Sequence, residues 1–538
     1  MIDELRNASN RLRAALDHYV RICSQVQDVC LQGLAPQSIT SDYIEQVDRE
    51  LGLIESYDVK MQLAKTAIKV TRNYAFNTVP INRFPTEILG RIFQIARDVE
   101  PRCVDQVALV CSRWRTISLG IPSLWSRIDL HPSLCKSFYP SLNRAQAHIS
   151  RSSKLSLDIH ISAALEAEPP REGYYEKPMV DLCALAAPRM GSLDLDLLGF
   201  HLNDLANNTY PAIASLFLHC TPGLFTKIVT FCEDYGFFVS DREQTNTGTW
   251  TMRIPAEHSH LEAVLASVTV MNLTGLYPPW TSRAYHGLVE LRLIGSPGGP
   301  DSITEWQLIN ILKSSPGLRI LMTNINITSR IPENLDVLVS LPDLEMLHVD
   351  SEVVSEACHL ELVRFLAPGP RPLDFTMHCS ELSLSEPSQA QTKAFLMRSN
   401  VRKLHADSVC RPLELLPSMP QLKDLVLSHC TYLPLGDLKL IEPSDQQSSP
   451  SLMYPQLNIC VLLECLLPLD EFRLSVQQCR VQTLRIYGCR FYKDTEEERF
   501  SIETVMRELS EVCSDVKIVE DVPRAVQLGD FYFNYTLP

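Results

Sequence analysis

The sequence predicts a mixed α/β chain in three parts: an N-terminal helical hairpin, a small three-helix domain and a long, irregular solenoid of strands and helices. Three observations carry this reading. Apolar residues recur every seven positions in the first segment, as Leu5, Leu12, Tyr19 and Val26. A short block of amphipathic runs with Pro and Gly stops follows. Beyond about residue 150, the pattern apolar-x-x-apolar-x-apolar returns again and again. The parts span residues 1–77, 78–131 and 132–538.

In the first part, Ala8, Ala15, Ile22 and Val29 complete the seam begun by Leu5, which is of the coiled-coil kind. Gly33 and Pro36 break it. Asp42 and Glu45 resemble a capping box opening a second helix. That helix carries Ile44, Val47, Leu51 and Ile54, then meets Asp58 before Met61. The segment reads as an antiparallel hairpin closing on itself, or as a short coiled coil that self-associates.

In the second part, Ile88, Leu89, Ile92 and Phe93 of RFPTEILGRIF form one apolar stripe on a helix. Pro85 suits the first turn, where its missing N–H costs nothing, and Glu87 lies near the positive end of the helix dipole. A second run has Val107, Val110, Cys111 and Trp114 at i, i+3, i+4 and i+7. LGIPSLWSRI then supplies a Gly–Pro break and a third turn with Leu124 and Trp125. A unit this small tends to leave apolar surface uncovered unless a neighbour covers it.

In the third part, the recurring pattern appears as MGSLDL (190–195), IASLFL (213–218), LASVTV (265–270), LVELRL (288–293), LEMLHV (344–349), LKDLVL (422–427) and VQTLRI (481–486). Weaker copies are LRILMT (318–323) and VRKLHA (401–406). Period-two alternation at the end of each copy predicts a short strand. Pro188, Pro211, Pro316, Pro342, Pro420 and Pro455 each stand two residues before a lead apolar residue, so a proline ends each helix and delivers the chain to the next strand. Three copies run on into Cys220, Cys430 and Cys489. This is the pattern of leucine-rich repeats, L-x-x-L-x-L-x-x-[NC], whose stacked units share one core and line a concave face with strands. EDYGFFVSDREQTNTGTWTMRIP (233–255) reads as an inserted hairpin, and LKLIEPSDQQSSPSLMYP (438–455) as a mobile loop.

Composition narrows the function. The chain has 538 residues and is 45% hydrophobic, which places it among globular proteins. Its 49 Lys+Arg against 64 Asp+Glu give a net charge of −15, which disfavours nucleic-acid binding. No run of about 18 apolar residues predicts a membrane span. The N-terminus lacks the pattern of a secretory signal. Seventeen cysteines without C-x-x-C spacing then read as buried thiols in an intracellular protein of the cytoplasm or nucleus, with no metal and no cofactor. The Asn-x-Ser/Thr matches at Asn7, Asn207, Asn272, Asn326 and Asn534 are chance matches in that setting.

Catalytic signatures are missing. There is no G-x-S-x-G, no phosphate loop, no G-x-G-x-x-G and no H-E-x-x-H. His258, His260 and Glu262 in EHSHLE read as a polar turn rather than a metal site. Cys460 and Cys465 in CVLLEC suit packing. EEER at 496–499 reads as a solvated cluster at a helix start. The expectation is a protein that is not an enzyme.

Residues 81–130 resemble an F-box. The first element of that family stands here as Phe84-Pro85-Thr86-Glu87-Ile88-Leu89-Gly90-Arg91-Ile92-Phe93. The second is Val110-Cys111-Ser112-Arg113-Trp114-Arg115, and the third is Pro122-Ser123-Leu124-Trp125. Phe84 replaces the usual Leu, and the loop 98–106 lacks the customary D-L step. The layout of helices, F-box and degenerate repeats is similar to F-box-like proteins expanded in fungi, as is HISRSSKLSLDIHI (148–161) at the start of the repeat region. The resemblance implies a substrate-recognition subunit of an SCF-type cullin–RING ubiquitin ligase. Its F-box would dock a Skp-type adaptor through Phe84, Pro85, Ile88, Leu89, Ile92, Phe93, Val110, Trp114 and Trp125. Its repeats would hold a protein substrate on outward strand positions: Glu290 and Arg292, Glu345 and His348, and Asp424. The other reading is a repeat scaffold that binds a protein partner without ubiquitin transfer.

Overall fold

The computed structural model describes residues 2–31, 41–74, 80–131, 138–162, 176–197, 209–240, 250–296, 302–328, 331–332, 337–350, 359–378, 386–409, 411–431, 454–493 and 499–520. The chain divides into two compact units, residues 1–95 with 106–117, and residues 96–105 with 118–538.

The first unit contains two long helices, α1 (Ile2–Leu31) and α2 (Ser41–Tyr74). The Tyr19 hydroxyl donates to Glu50 at 3.0 Å, linking them. No residue of α1 is buried, and Leu5, Leu12, Val26, Ile44, Leu51, Ile54 and Met61 all stay exposed. The seams are therefore largely open to solvent.

The short helices follow as α3 (Thr86–Val99), α4 (Cys103–Val110) and α5 (Ser112–Leu119), with 3₁₀ turns at Pro80–Arg83 and Pro122–Trp125. The run from Val107 to Trp114, expected as one helix, breaks at Cys111. The Trp114 amide donates to the Cys111 thiol at 3.5 Å, so the sulfur occupies the place of an N-cap acceptor and starts a new helix.

The second unit is built on one large sheet. Among the described residues fourteen strands lie side by side in strict chain order, all parallel, and a fifteenth pairs at one side. A doubly wound α/β domain reverses its strand order at a switch point. Here the order never reverses, which makes the unit a solenoid of stacked rungs. The first strand, Arg127–Leu130, pairs with Leu157–Ser162, and the last, Asp515–Ile518, pairs with Thr483–Tyr487.

Register aligns one column of buried side chains through the stack: Ile128, Ile159, Leu193, Ile228, Met271 and Leu291. It continues through Leu321, Leu347, Phe375, Leu404, Leu425, Cys460 and Leu484. The next inward column holds Leu130, Ile161, Leu195, Leu293, Val349, Met377, Leu427 and Leu462, all buried. Helices cover this side. In one rung, Thr304 caps the helix Glu305–Lys313 in a reciprocal capping box with Gln307. Pro316 then ends the helical run, and Leu318 leads into the strand Ile320–Thr323. Among the described residues no helix is long and apolar enough to cross a membrane.

Several sequence expectations need correction. IASLFL lies inside a helix, Thr209–His219, because Ile213, Leu216, Phe217 and Cys220 also satisfy helical spacing. Cys220 ends that helix and is not a rung position. In LASVTV, Leu265 closes the helix His258–Leu265, and the rung starts three residues on, as Val268, Met271 and Leu273. The 233–255 stretch is no hairpin: Gly236–Ser240 pairs with Trp250–Ile254 in parallel, and residues 241–249 lie outside the described residues. Most of the expected loop at 438–455, and 496–498 of the acidic cluster, also lie outside them.

Gly275 shows how tightly one rung is built. It has φ +73°, and a Cβ there would sit 2.2 Å from the Cys232 carbonyl oxygen, so only glycine fits this bulge.

Candidate functional site

The candidate residues fall on two faces, one on the short helices and one on the sheet. On α3 the apolar stripe divides cleanly. Leu89 is 0% exposed and Phe93 2%, whereas Ile88 is 47%, Ile92 38% and Ile95 51% exposed. Helical geometry explains the split: residues 89 and 93 share one side, and 88, 92 and 95 share the next. Phe93 packs on Trp114 with ring centroids 4.9 Å apart. Arg113 donates to the Phe84 carbonyl at 2.7 Å, fixing the turn that opens α3. The outward row is thus held on a rigid helix whose other side is locked.

The nine residues assigned to an adaptor surface therefore separate. Phe84, Pro85, Ile88, Ile92 and Val110 are exposed. Trp114 is half-buried against Phe93. Leu89, Phe93 and Trp125 are buried, so their assignment to that surface is corrected to the chain's own core. Trp125 donates its indole N–H to the Ser118 carbonyl at 2.8 Å, and the Arg151 guanidinium lies 4.5 Å above its ring. With Ile128 and Leu130 it opens the first rung. Sequence reasoning missed Ile95 and Leu109, which are 51% and 76% exposed; extending the stripe from Ile88 by seven residues finds the first of them.

The open face of the sheet is read from strand positions that alternate with the core columns. Glu290 and Arg292 lie there as expected and bind each other at 2.6 Å. His348 and Asp424 lie there too. Glu345 does not: it stands one residue before the strand Met346–Asp350, where Arg319 holds it at 2.6 Å and Arg371 also binds it. These cations hold the Glu345 carboxyl below its ordinary range.

His348 belongs to a cluster that its motif did not reveal. His378 binds Asp350 at 2.6 Å, His429 binds Asp407 at 3.0 Å, and His405 contacts Ser428 at 2.8 Å. Burial pushes the His348 imidazole down to about 4; Asp350 opposes this, and His405 and His378 add to it. Burial also lowers His405. An unfolded imidazole titrates near 6.5. For His348, between pH ~6.5 and ~4 the unfolded chain binds more protons, so it favours folding above that window and loses the contribution as pH falls through it; the lowered His405 acts in the same direction. The melting temperature should fall between pH 7 and 4.5, and His348→Gln should shrink that fall, as followed by thermal melts.

Other candidate chemistry does not assemble. Among the described residues no group of three His, Cys, Asp or Glu side chains is placed to hold a metal ion. Glu262 instead accepts from the Ser282 hydroxyl and the Arg283 amide, both at 2.7 Å, and His260 contacts the Phe217 carbonyl. Cys430, Cys465 and Cys489 form a ladder at the ends of adjacent rungs, with thiols on the Ala406, Leu427 and Tyr487 carbonyls. The neighbouring Cys430 thiol and burial push Cys465 up to about 12, which suppresses the reactive thiolate.

The comparisons with known proteins bear on the short helices. A crystal structure of a Rad7 and Elc1 complex from yeast is similar over 88% of this chain and 95% of that chain, at 13% identity and a TM-score of 0.32. No curated protein matches. The F-box-like family model matches residues 81–131. The segment that carries the exposed Ile88–Ile92–Ile95 row is thus an F-box-like domain, and the chain continues from it into a repeat solenoid.

Proposed function

We propose that this protein is a substrate-recognition subunit of an SCF-type cullin–RING ubiquitin ligase. The F-box-like domain docks a Skp-type adaptor, and the open face of the solenoid selects the protein to be modified. The observation that carries this reading is the outward apolar row of Ile88, Ile92 and Ile95 on a helix whose opposite side is closed by Leu89 and Phe93. A two-sided helix of this kind suits the helix-in-groove mode, in which apolar anchors at i, i+4 and i+7 enter a partner's groove.

The repeats support the second half of the reading. The fourteen described rungs present a row of varied polar and apolar side chains, including the Glu290–Arg292 pair, the His348 cluster and Asp424. Selectivity spread over many rungs is the usual way a solenoid reads a partner. The protein itself supplies no bond-making groups in this scheme; transfer is done by the ligase to which the adaptor joins it. The test is co-expression of the full chain with a Skp-type adaptor and cullin–RING components. Stable co-purification, together with ubiquitin transfer to proteins captured by the repeats, is the expected result. Adaptor binding without transfer would point to the scaffold reading, and no adaptor binding would reject the assignment.

A further inference from the structure

The long helices carry an apolar surface that the chain leaves open. On one side of α2, Ile44, Val47, Leu51, Ile54, Met61 and Ile68 are each more than 40% exposed. A lone helix pair in water does not normally keep this much apolar surface uncovered.

The charges on α2 point to what covers it. Its first half, residues 41–58, holds Asp42, Glu45, Asp48, Glu50, Glu55 and Asp58 with Arg49 as the sole basic residue. Its second half, residues 59–74, holds Lys60, Lys65, Lys69 and Arg72 and no acidic residue. A helix acidic at one end and basic at the other is complementary to itself when a copy lies antiparallel. Laid parallel, like charges would face each other.

We infer that the protein is a homodimer in which α2 pairs antiparallel with α2 of a second copy, around a two-fold axis near Asp58. In that arrangement Val47 meets Ile68 and Ile54 meets Met61, so the apolar seam runs through the pair. On one flank of that seam Asp48 comes opposite Lys65 and Glu45 opposite Lys69, so the acidic first half lies over the basic second half on both sides of the axis. The interface is isologous, using the same patch on both copies. Asp58 falls at the axis and meets its own copy, which weakens the contact and makes the association reversible.

The test uses the full chain in light scattering and analytical ultracentrifugation. The wild type should show a mass of twice 60.8 kDa that dissociates on dilution and at high salt. The triple change Lys65→Glu, Lys69→Glu, Arg72→Glu should weaken the dimer at least ~tenfold, and so should Glu45→Lys, Asp48→Lys, Glu55→Lys. Both sets in one chain restore the complementarity and should restore the dimer. Asp58→Leu should tighten it. Circular dichroism on every variant confirms that the helices persist. A wild type that is monomeric at every concentration overturns the inference. So does a dimer indifferent to the triple changes, or a double set that fails to recover.

Discussion

Glu305→Ala should destabilise the repeat unit by about 3–5 kcal/mol, the loss typical when one member of a buried ion pair is removed. Glu305 is 3% exposed at the start of the helix Glu305–Lys313. The Arg364 guanidinium donates to both of its carboxylate oxygens, at 3.1 and 2.8 Å, and to the Ile331 carbonyl at 3.0 Å. The Ile331 amide donates to the same carboxylate. Truncation leaves a cation with its side chain only 12% exposed and a backbone N–H without its acceptor. The double change Glu305→Leu, Arg364→Met should recover much of the loss, because it removes both charges together. Chemical denaturation measures both. A single variant as stable as the wild type would show that the pair contributes nothing.

Ile88→Glu combined with Ile92→Glu should reduce adaptor affinity on the order of a thousandfold, since each change places a charge where an apolar groove is expected. Both positions are exposed, so the melting temperature should barely move. Leu89→Asp makes the control. Leu89 is fully buried, so a charge there should unfold the F-box-like domain itself. Undiminished co-purification of the Ile88/Ile92 variant with a Skp-type adaptor would remove α3 from the docking surface.

Much of the architecture was legible in the sequence wherever one periodicity dominated. LVELRL, LEMLHV, LKDLVL and VQTLRI all became rungs in the expected register. Rungs were overlooked where a consensus leucine is replaced. Cys460 stands in the core column of Ile459–Leu463, Thr230 follows Ile228 in the strand Lys227–Ser240, and Trp125 leads the first rung. IASLFL misled because a fully apolar run satisfies both the helical and the strand period.

The interaction face was less legible, for a physical reason. Ile88 and Leu89 are adjacent and equally apolar, yet one faces out and the other in. Composition cannot separate them; only the neighbours that lock Phe93 and Phe84, namely Trp114 and Arg113, set the rotation of the helix. The His348 cluster was hidden for a similar reason. Its members come from separate rungs at His348, His378, His405 and His429, and only the register brings them together.

The unbroken chain order of the strands has a consequence for how the protein folds and fails. Among the described residues each rung of the large sheet pairs with the rungs before and after it in the sequence, so contact order within the sheet is low despite its size. Folding can begin at any well-packed pair of rungs and spread in both directions, with stability set by rung and nearest-neighbour terms. A lesion in the middle, as at Glu305, then divides the array into two segments that melt at different temperatures. Cooperativity is therefore regional, and a damaged chain can keep part of its surface folded while another part is open to proteolysis.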